Sequence, residues 1–592
     1  MIEKEGQVLV LENRAIRMKV RLDDGIHCET LTHLAQGTAV HYGPETGEFF
    51  RFSTRRGRVD HFCVERVDIL QDETEQLVSV YASCEEQSLH VRLSLILGEN
   101  DAVHILLQSA SDRECPEELW VCCPFLANLT LPDPKERRYF PNNPLFRAHP
   151  LFTFPYVLTD HNDRYGFSVA FPTLSEIAPA VQNRNVDLKK ISSRKELENH
   201  RMPLRLGHVL SDTFELEISA LEEGWREAFA QYRRQQRSRF DLCEYSRPDL
   251  QWMRHTVLHH FTYLYSKESW DEKNEQVAMD KLLKDGEAFG GYDTLTLWHQ
   301  YPRLGVDSRT QWDFFDDFPG GREGLRSIAD VAHQKGIKVF LPYKPWDIGN
   351  DQSMDETSDQ VRQLVVDTGI DGFFLDTMDS VPATFRPALD SVKPGVVFCS
   401  EVHPSTCSAV EDITSSWGKS KASDPIERLD YMRFLLPEHP APIISRWATG
   451  EGKTRLIERA IFSGTGLVIW QDVFGAWLPY SAPQKERIKK YKTIWLDNQK
   501  IFLGMHPTPL YPTLHSTMLC NRFDADDGSA SIFTFCNTTD QVFTGDLLAL
   551  QDVQGMQPLL GQEISWNGTV LSGSVSPDAV SMVRIDWKNG GN

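Results

Sequence analysis

Apolar and polar positions alternate with period two over much of the first third of the chain. Val8 to Leu11, Ala15 to Leu22, Leu77 to Ala82 and Leu89 to Leu97 each read as half-buried strands, separated by Gly, Asp and Asn. Many short strands with few helical stretches predict a large antiparallel β-sandwich. This region ends near Leu216 to Leu221, and a helical linker follows from Glu222 to Ser238.

The period then changes. Strand-like runs begin at Phe261, Tyr292, Lys338, Gly369 and Val396, with further candidates at Ile443 and Leu467. Helical stretches fall between them: Asn274 to Glu287, Gly324 to Lys335 closed by Gly336, Ser358 to Thr368 closed by Gly369, and one within Val381 to Lys393. Repeated strand–helix units predict a (β/α)8 TIM barrel. A doubly wound sheet is the alternative, but no Gly-rich phosphate loop opens any of the helices. From about Thr508 the helices stop, and Ser531 to Cys536, Gln541 to Gly545 and Val580 to Trp587 predict a small C-terminal β-sandwich. The expected boundaries are 1–235 for an N-terminal β-super-sandwich with its linker, 236–507 for the barrel and 508–592 for the C-terminal β-sandwich.

Composition narrows the partners. The chain has 592 residues, 41% hydrophobic and 25% charged, with a net charge of -22. Such a surplus of acid disfavours nucleic acid and anionic membranes, and suits a neutral substrate such as a carbohydrate. The N-terminus lacks the pattern of a signal peptide and no stretch is apolar enough to span a bilayer, so the expectation is a cytoplasmic protein. The 11 cysteines have no metal-ligand spacing and read as free thiols. Asn128, Asn537 and Asn567 match glycosylation acceptors by chance spacing. No metal and no organic cofactor is expected.

The candidate chemistry lies at strand ends. Gly369-Ile-Asp-Gly-Phe-Phe-Leu-Asp376 is an apolar run that stops at a carboxylate, and Val396-Val-Phe-Cys-Ser-Glu401 stops at another. In a parallel barrel such residues line the active face, and two carboxylates suffice to cleave a glycosidic bond. Asp376 reads as the nucleophile, against a helix N-cap or loop ion pair. Glu401 reads as the general acid/base, against a structural ion pair. The acid role requires a raised pKa, which apolar surroundings supply. Around them, Trp298, His299, Lys344, Trp346, Asp347, Asp379, His403, Trp470 and Asp472 form the expected sugar subsite. Aromatic faces would stack on sugar rings and polar groups would hold hydroxyls, although each Trp alone equally fits core packing and each His a satisfied rim histidine. Asp313, Asp316 and Asp317 read as solvated loop charges.

Three stretches carry a family resemblance. Thr294 to Pro345, with its Phe-Pro-Gly-Gly loop and Gly-Ile-Lys-Val strand, Gly369 to Met378, and Ser423-Asp-Pro-Ile-Glu-Arg-Leu429 together resemble the clan of retaining α-glycosidases that includes α-galactosidases. The three-part layout is similar as well. The resemblance implies a nucleophile at Asp376 and brings in Asp424 as a rival acid/base. The chain departs from that pattern in two places. Phe374-Leu-Asp376 stands where Lys-x-Asp is usual, and the acidic pair near Asp424 is reduced to Ser-Asp-Pro. Ser400-Glu401 instead resembles the acid/base placement of the α-amylase clan and the endo-α-N-acetylgalactosaminidases. The Arg that the α-amylase pattern sets two residues before the nucleophile is absent. Asp424 also fits a helix N-cap, with Pro425 at the first helical position. The expected function is a retaining α-glycoside hydrolase. A transglycosylase on the same barrel and a non-catalytic carbohydrate-binding protein are its rivals.

Overall fold

The computed structural model describes residues 1–588 apart from 45, 55–56, 60–61, 72–75, 99–100, 112–118, 123–124, 126–136, 141–145, 148–156, 161–165, 171–201, 205–213, 223–224, 300–308, 350–352, 405 and 562. Asn128 lies outside the described residues. The chain divides into two compact units, Met1–Gln236 and Arg237–Asn592.

The first unit is antiparallel β. Five strands from Ile2–Glu5 to Thr38–His41 form a meander, and sheets of eight and four strands accompany it. Alternation does the work that period two implies: Ile16, Met18 and Val20 turn inward while Arg17 and Lys19 face out. One hydrophobic core runs through this unit. The helix Trp225–Arg237 follows its last strand, Phe214–Ala220.

The second unit opens with a parallel barrel. Its strands are β1 (Leu258–Tyr263), β2 (Thr294–Trp298), β3 (Lys338–Tyr343), β4 (Gly372–Leu375), β5 (Val397–Ser400), β6 (Ser415–Ser416 with Gly418–Lys419), β7 (Ile443–Ile444) and β8 (Leu467–Ile469). Each pairs in parallel with the next, and β8 returns to β1. Closure depends on β6, which Trp417 divides. Ser415–Ser416 pair with β5 and Gly418–Lys419 with β7, while Trp417 N–H donates to Ser400 O at 2.9 Å.

Local signals explain the units around β4. Ser353 caps the helix Met354–Thr368 in a reciprocal bond with Glu356, and Gly369 ends it in the left-handed region at φ 68°. Strand β4 then starts on Gly372, where a Cβ would stand 2.1 Å from the Phe340 ring, so only glycine fits under that ring. The barrel interior is filled with rings: Phe261, Trp298, Phe340, Phe374, Trp417 and Trp470 share one buried cluster. A two-sheet β-sandwich follows, with Met518–Asp524, Ala530–Asn537, Ser581–Trp587 and Val553–Leu560 in one sheet and Phe543–Ala549, Val570–Val575 and Ile564–Trp566 in the other, around a common core. No helix among the described residues is long and apolar enough to cross a membrane.

Candidate active site

Asp376 and Glu401 extend the ladders of β4 and β5 by one residue. Asp376 N–H donates to Tyr343 O at 2.9 Å, and Glu401 N–H donates to Leu375 O at 3.0 Å. They follow the registered pair Leu375 and Ser400, so the two side chains leave neighbouring strand ends side by side. Both are buried, and their carboxyl groups stand within hydrogen-bonding reach of each other.

Two buried carboxylates in contact cannot both ionise freely. Burial, then the neighbouring Glu401 charge, pushes Asp376 up to about 7, against the pull of Lys344 and Arg446. Glu401 goes the other way. Burial pushes it up, but Lys419, the Thr377 N–H and Arg446 outweigh burial and hold it below the usual range. Lys419 Nζ lies 2.8 Å from Glu401 Oε1, Arg446 Nη2 pairs with the same oxygen, and Thr377 N–H donates to Oε2 at 2.9 Å. The raised carboxyl expected of Glu401 is therefore not found: two cations and an amide favour its anion, and a proton held by the pair favours Asp376. Thr377 reaches Glu401 from φ 59°, a left-handed conformation that costs a threonine on the order of 1 kcal/mol or more.

Lys344 and Asp347 form a buried ion pair at 2.9 Å beyond β3, and the Asp376 charge acts on Lys344. The Lys344 ammonium also lies 5.1 Å from the centre of the Trp346 ring, whose outer face is exposed. His299 is buried, stacked on Phe314, with Nδ1 3.5 Å from Lys344 Nζ. Asp379 is half-buried just beyond β4. The structure thus brings Lys344, Trp346, Asp347 and His299 together beside Asp376.

Other expected subsite residues serve the fold. Trp298 sits inside the barrel against Phe261 and Phe374. Trp470 belongs to the same cluster and donates its indole N–H to Asp472 O at 2.6 Å. The Asp472 carboxylate accepts from Gly475 N–H at 2.9 Å and so ties the hairpin of Asp472–Val473 with Ala476–Trp477. Both ring nitrogens of His403 are engaged, one with Ser416 Oγ at 2.8 Å and the other with Asp430 at 3.2 Å.

Asp424 is held by cations and an amide of its own. Its oxygens meet Arg428 at 2.9 Å, Arg459 at 3.2 Å and Lys421 N–H at 2.9 Å. Burial raises its carboxyl, but that amide and the two guanidinium groups win and hold it low. The N-cap expected at Asp424 is not formed. Residues 424–428 make turns, and the next helix, Tyr431–Leu435, is capped by Asp430 through Met432 N–H. Nor are Asp313, Asp316 and Asp317 merely solvated charges. Asp313 closes a capping box with Thr310, and the other two pair with Arg322 and Arg309.

Lys419 and Arg446 lie outside the subsite expected from the sequence. Lys419 ends a strand, Ser-Ser-Trp-Gly-Lys, with no apolar run to announce it. Arg446 follows Ile443-Ile-Ser, and a cation just past a barrel strand was the available signal.

No protein-family model matches the chain, and no curated relative matches its sequence. Solved structures resemble it. The galactosidase domain of the alpha-galactosidase-sucrose kinase AgaSK is 11% identical over 99% of this chain and 100% of that chain, with a TM-score of 0.42. The GH36 alpha-galactosidase AgaA from Geobacillus stearothermophilus is 10% identical over 98% and 100%, with a TM-score of 0.43. An Anoxybacillus alpha-amylase is 13% identical over 57% of this chain and 99% of that chain, with a TM-score of 0.41.

Proposed function

We propose that this chain is a retaining glycoside hydrolase acting on an α-linked sugar. One relationship carries the reading: Asp376 and Glu401 sit side by side on adjacent strand ends of a parallel barrel, and burial with the Glu401 charge raises Asp376. Neighbouring strands lie about 4.8 Å apart. Side chains from strand ends so close, within hydrogen-bonding reach of each other, lack the gap of roughly 6.5–9.5 Å that inversion needs for a water.

Asp376 attacks the anomeric carbon, Glu401 protonates the leaving oxygen and then activates water against the glycosyl ester. The pair begins with its proton on Asp376, so the proton crosses to Glu401 before attack, along the contact between them. Positive charge developing at the sugar ring then favours the Asp376 anion. Lys344, Asp347 and Asp379 hold hydroxyls, and Trp346 offers its exposed face to a ring.

A second reading follows from the cations on Glu401. The roles are exchanged: Asp376, pushed up to about 7, donates the proton, and the ionised Glu401 attacks. A 2-fluoro glycosyl fluoride traps the covalent intermediate, and peptide mass mapping locates the ester. An ester on Asp376 supports the first reading and an ester on Glu401 the second. A screen of aryl α-glycosides, with products followed by anomeric NMR, supplies the donor sugar. Sugar binding with no turnover across that screen leaves the non-catalytic carbohydrate-binding rival and overturns both.

A further inference from the structure

Two bulky aromatic residues at the barrel rim hold backbone conformations that suit glycine or asparagine. Trp447 follows β7 at φ 61°, and Phe474 occupies the tip of the β8 hairpin at φ 52°, before Gly475 at φ 85°. A two-residue turn with both φ positive normally recruits Asn-Gly. Despite the strain, neither side chain is buried in return: Trp447 is 56% exposed and Phe474 45%. Large apolar surface left in water at a strained position marks a binding function more than a packing one.

The two rings lie close, with centroids 5.8 Å apart and planes inclined by 33°. Phe474 also contacts Trp470 and Tyr263, so its place is fixed from below. The pair is tied to the carboxylates through one side chain. The Arg446 guanidinium that pairs with Glu401 lies 5.8 Å from the Phe474 ring centre and 5.7 Å from that of Trp470. The exposed platform therefore begins one guanidinium away from Glu401.

We infer that Trp447 and Phe474 form a leaving-group subsite, which takes the second ring of an α-linked disaccharide or longer oligosaccharide. The inference deepens the glycosidase reading and rests on it for the word leaving. Rings of sugars present axial C–H faces to aromatic surfaces, and a platform of two inclined rings accepts such a face without demanding one hydroxyl pattern. Substrate choice at this end then depends on the presence of a ring more than on its identity.

The test compares two substrates of the same donor sugar, an α-linked disaccharide and the glycosyl fluoride, which has no second ring. The readout is the ratio of their kcat/KM values in wild type, Trp447→Ala and Phe474→Ala. Each substitution should lower the disaccharide-to-fluoride ratio about tenfold. An unchanged ratio overturns the subsite, and so does an equal loss on both substrates, which is the sign of a structural role. Calorimetric titration of Asp376→Asn, with and without Trp447→Ala, with maltose and melibiose, against glucose and galactose, reads the platform without turnover. A disaccharide preference that Trp447→Ala abolishes supports the subsite even in a protein that cleaves nothing, where the hydrolase reading alone fails. No preference in Asp376→Asn alone overturns the subsite.

Discussion

Thr377 donates its backbone N–H to Glu401 Oε2 at 2.9 Å, so the residue that follows one carboxylate holds the other. Thr377 itself lies in the left-handed region, at φ 59°. The pair is thus coupled through the chain as well as through space, and a change at β4 reaches Glu401 without touching it.

Asp376→Asn should lower kcat by roughly 10³-fold or more on an aryl α-glycoside while leaving the circular dichroism spectrum unchanged. Activity near that of wild type would remove Asp376 from the mechanism.

The same variant should be more stable than wild type at neutral and alkaline pH. The folded-state pKa of Asp376, about 7, lies above the ordinary carboxylate value. Its folded form therefore keeps a proton that the unfolded chain has lost. Its contribution is fully favourable below about pH 4 and is lost as pH rises through 7. Urea titrations at pH 4, 6 and 8 should show Asp376→Asn gaining on wild type with rising pH. A constant difference would mean that the proton is not held there.

Lys419→Met should raise the Glu401 carboxyl, because it removes a charge and a hydrogen bond that favour the anion. A depressed acid stabilises the fold above its unfolded pKa and loses that contribution as pH falls through the folded value. The variant should begin to lose stability at a higher pH than wild type on acidification, and the acidic limb of its kcat/KM profile should shift upward. A coincident profile would show that Arg446 and Thr377 suffice.

Asp424→Ala should cost stability more than chemistry. It leaves the buried Arg459 without its carboxylate, at a cost of ~3 kcal/mol. Guanidinium unfolding measures that loss. Azide should not rescue the turnover of this variant, whereas rescue would make Asp424 the acid/base.

Trp298→Ala and Trp346→Ala should separate core from subsite. The first empties the barrel interior and costs ~3–5 kcal/mol. The second removes an exposed ring and should shift stability by about 0.5 kcal/mol or less while raising KM.

Most of the barrel was legible because its buried strands are continuous apolar runs and its helices end on glycine. Lys338–Tyr343 and the helix closed by Gly369 are where the pattern puts them. Strand β6 was not legible: two serines, a glycine and a lysine around Trp417 pack by tertiary fit and carry no period. Trp298 and Trp470 misled for a related reason. A barrel strand points alternate residues into the interior, and nothing local tells an interior ring from a rim one. The carboxylates themselves were legible as strand-end acids. Their ionisation was not, since it depends on Lys419 and Arg446 from β6 and β7, which meet Glu401 only once the barrel closes.

The ring-filled interior has a consequence for proton traffic. Among the described residues, Phe261, Phe374, Trp417 and Trp470 pack ring against ring in one buried cluster, on or beside the strands of the barrel. Apolar rings relay no proton, so exchange between the Asp376–Glu401 pair and water favours the rim over the ring cluster. On the proposed glycosidase reading, a sugar seated at that rim slows the exchange, so the protonation state at the moment of binding is carried into the first chemical step.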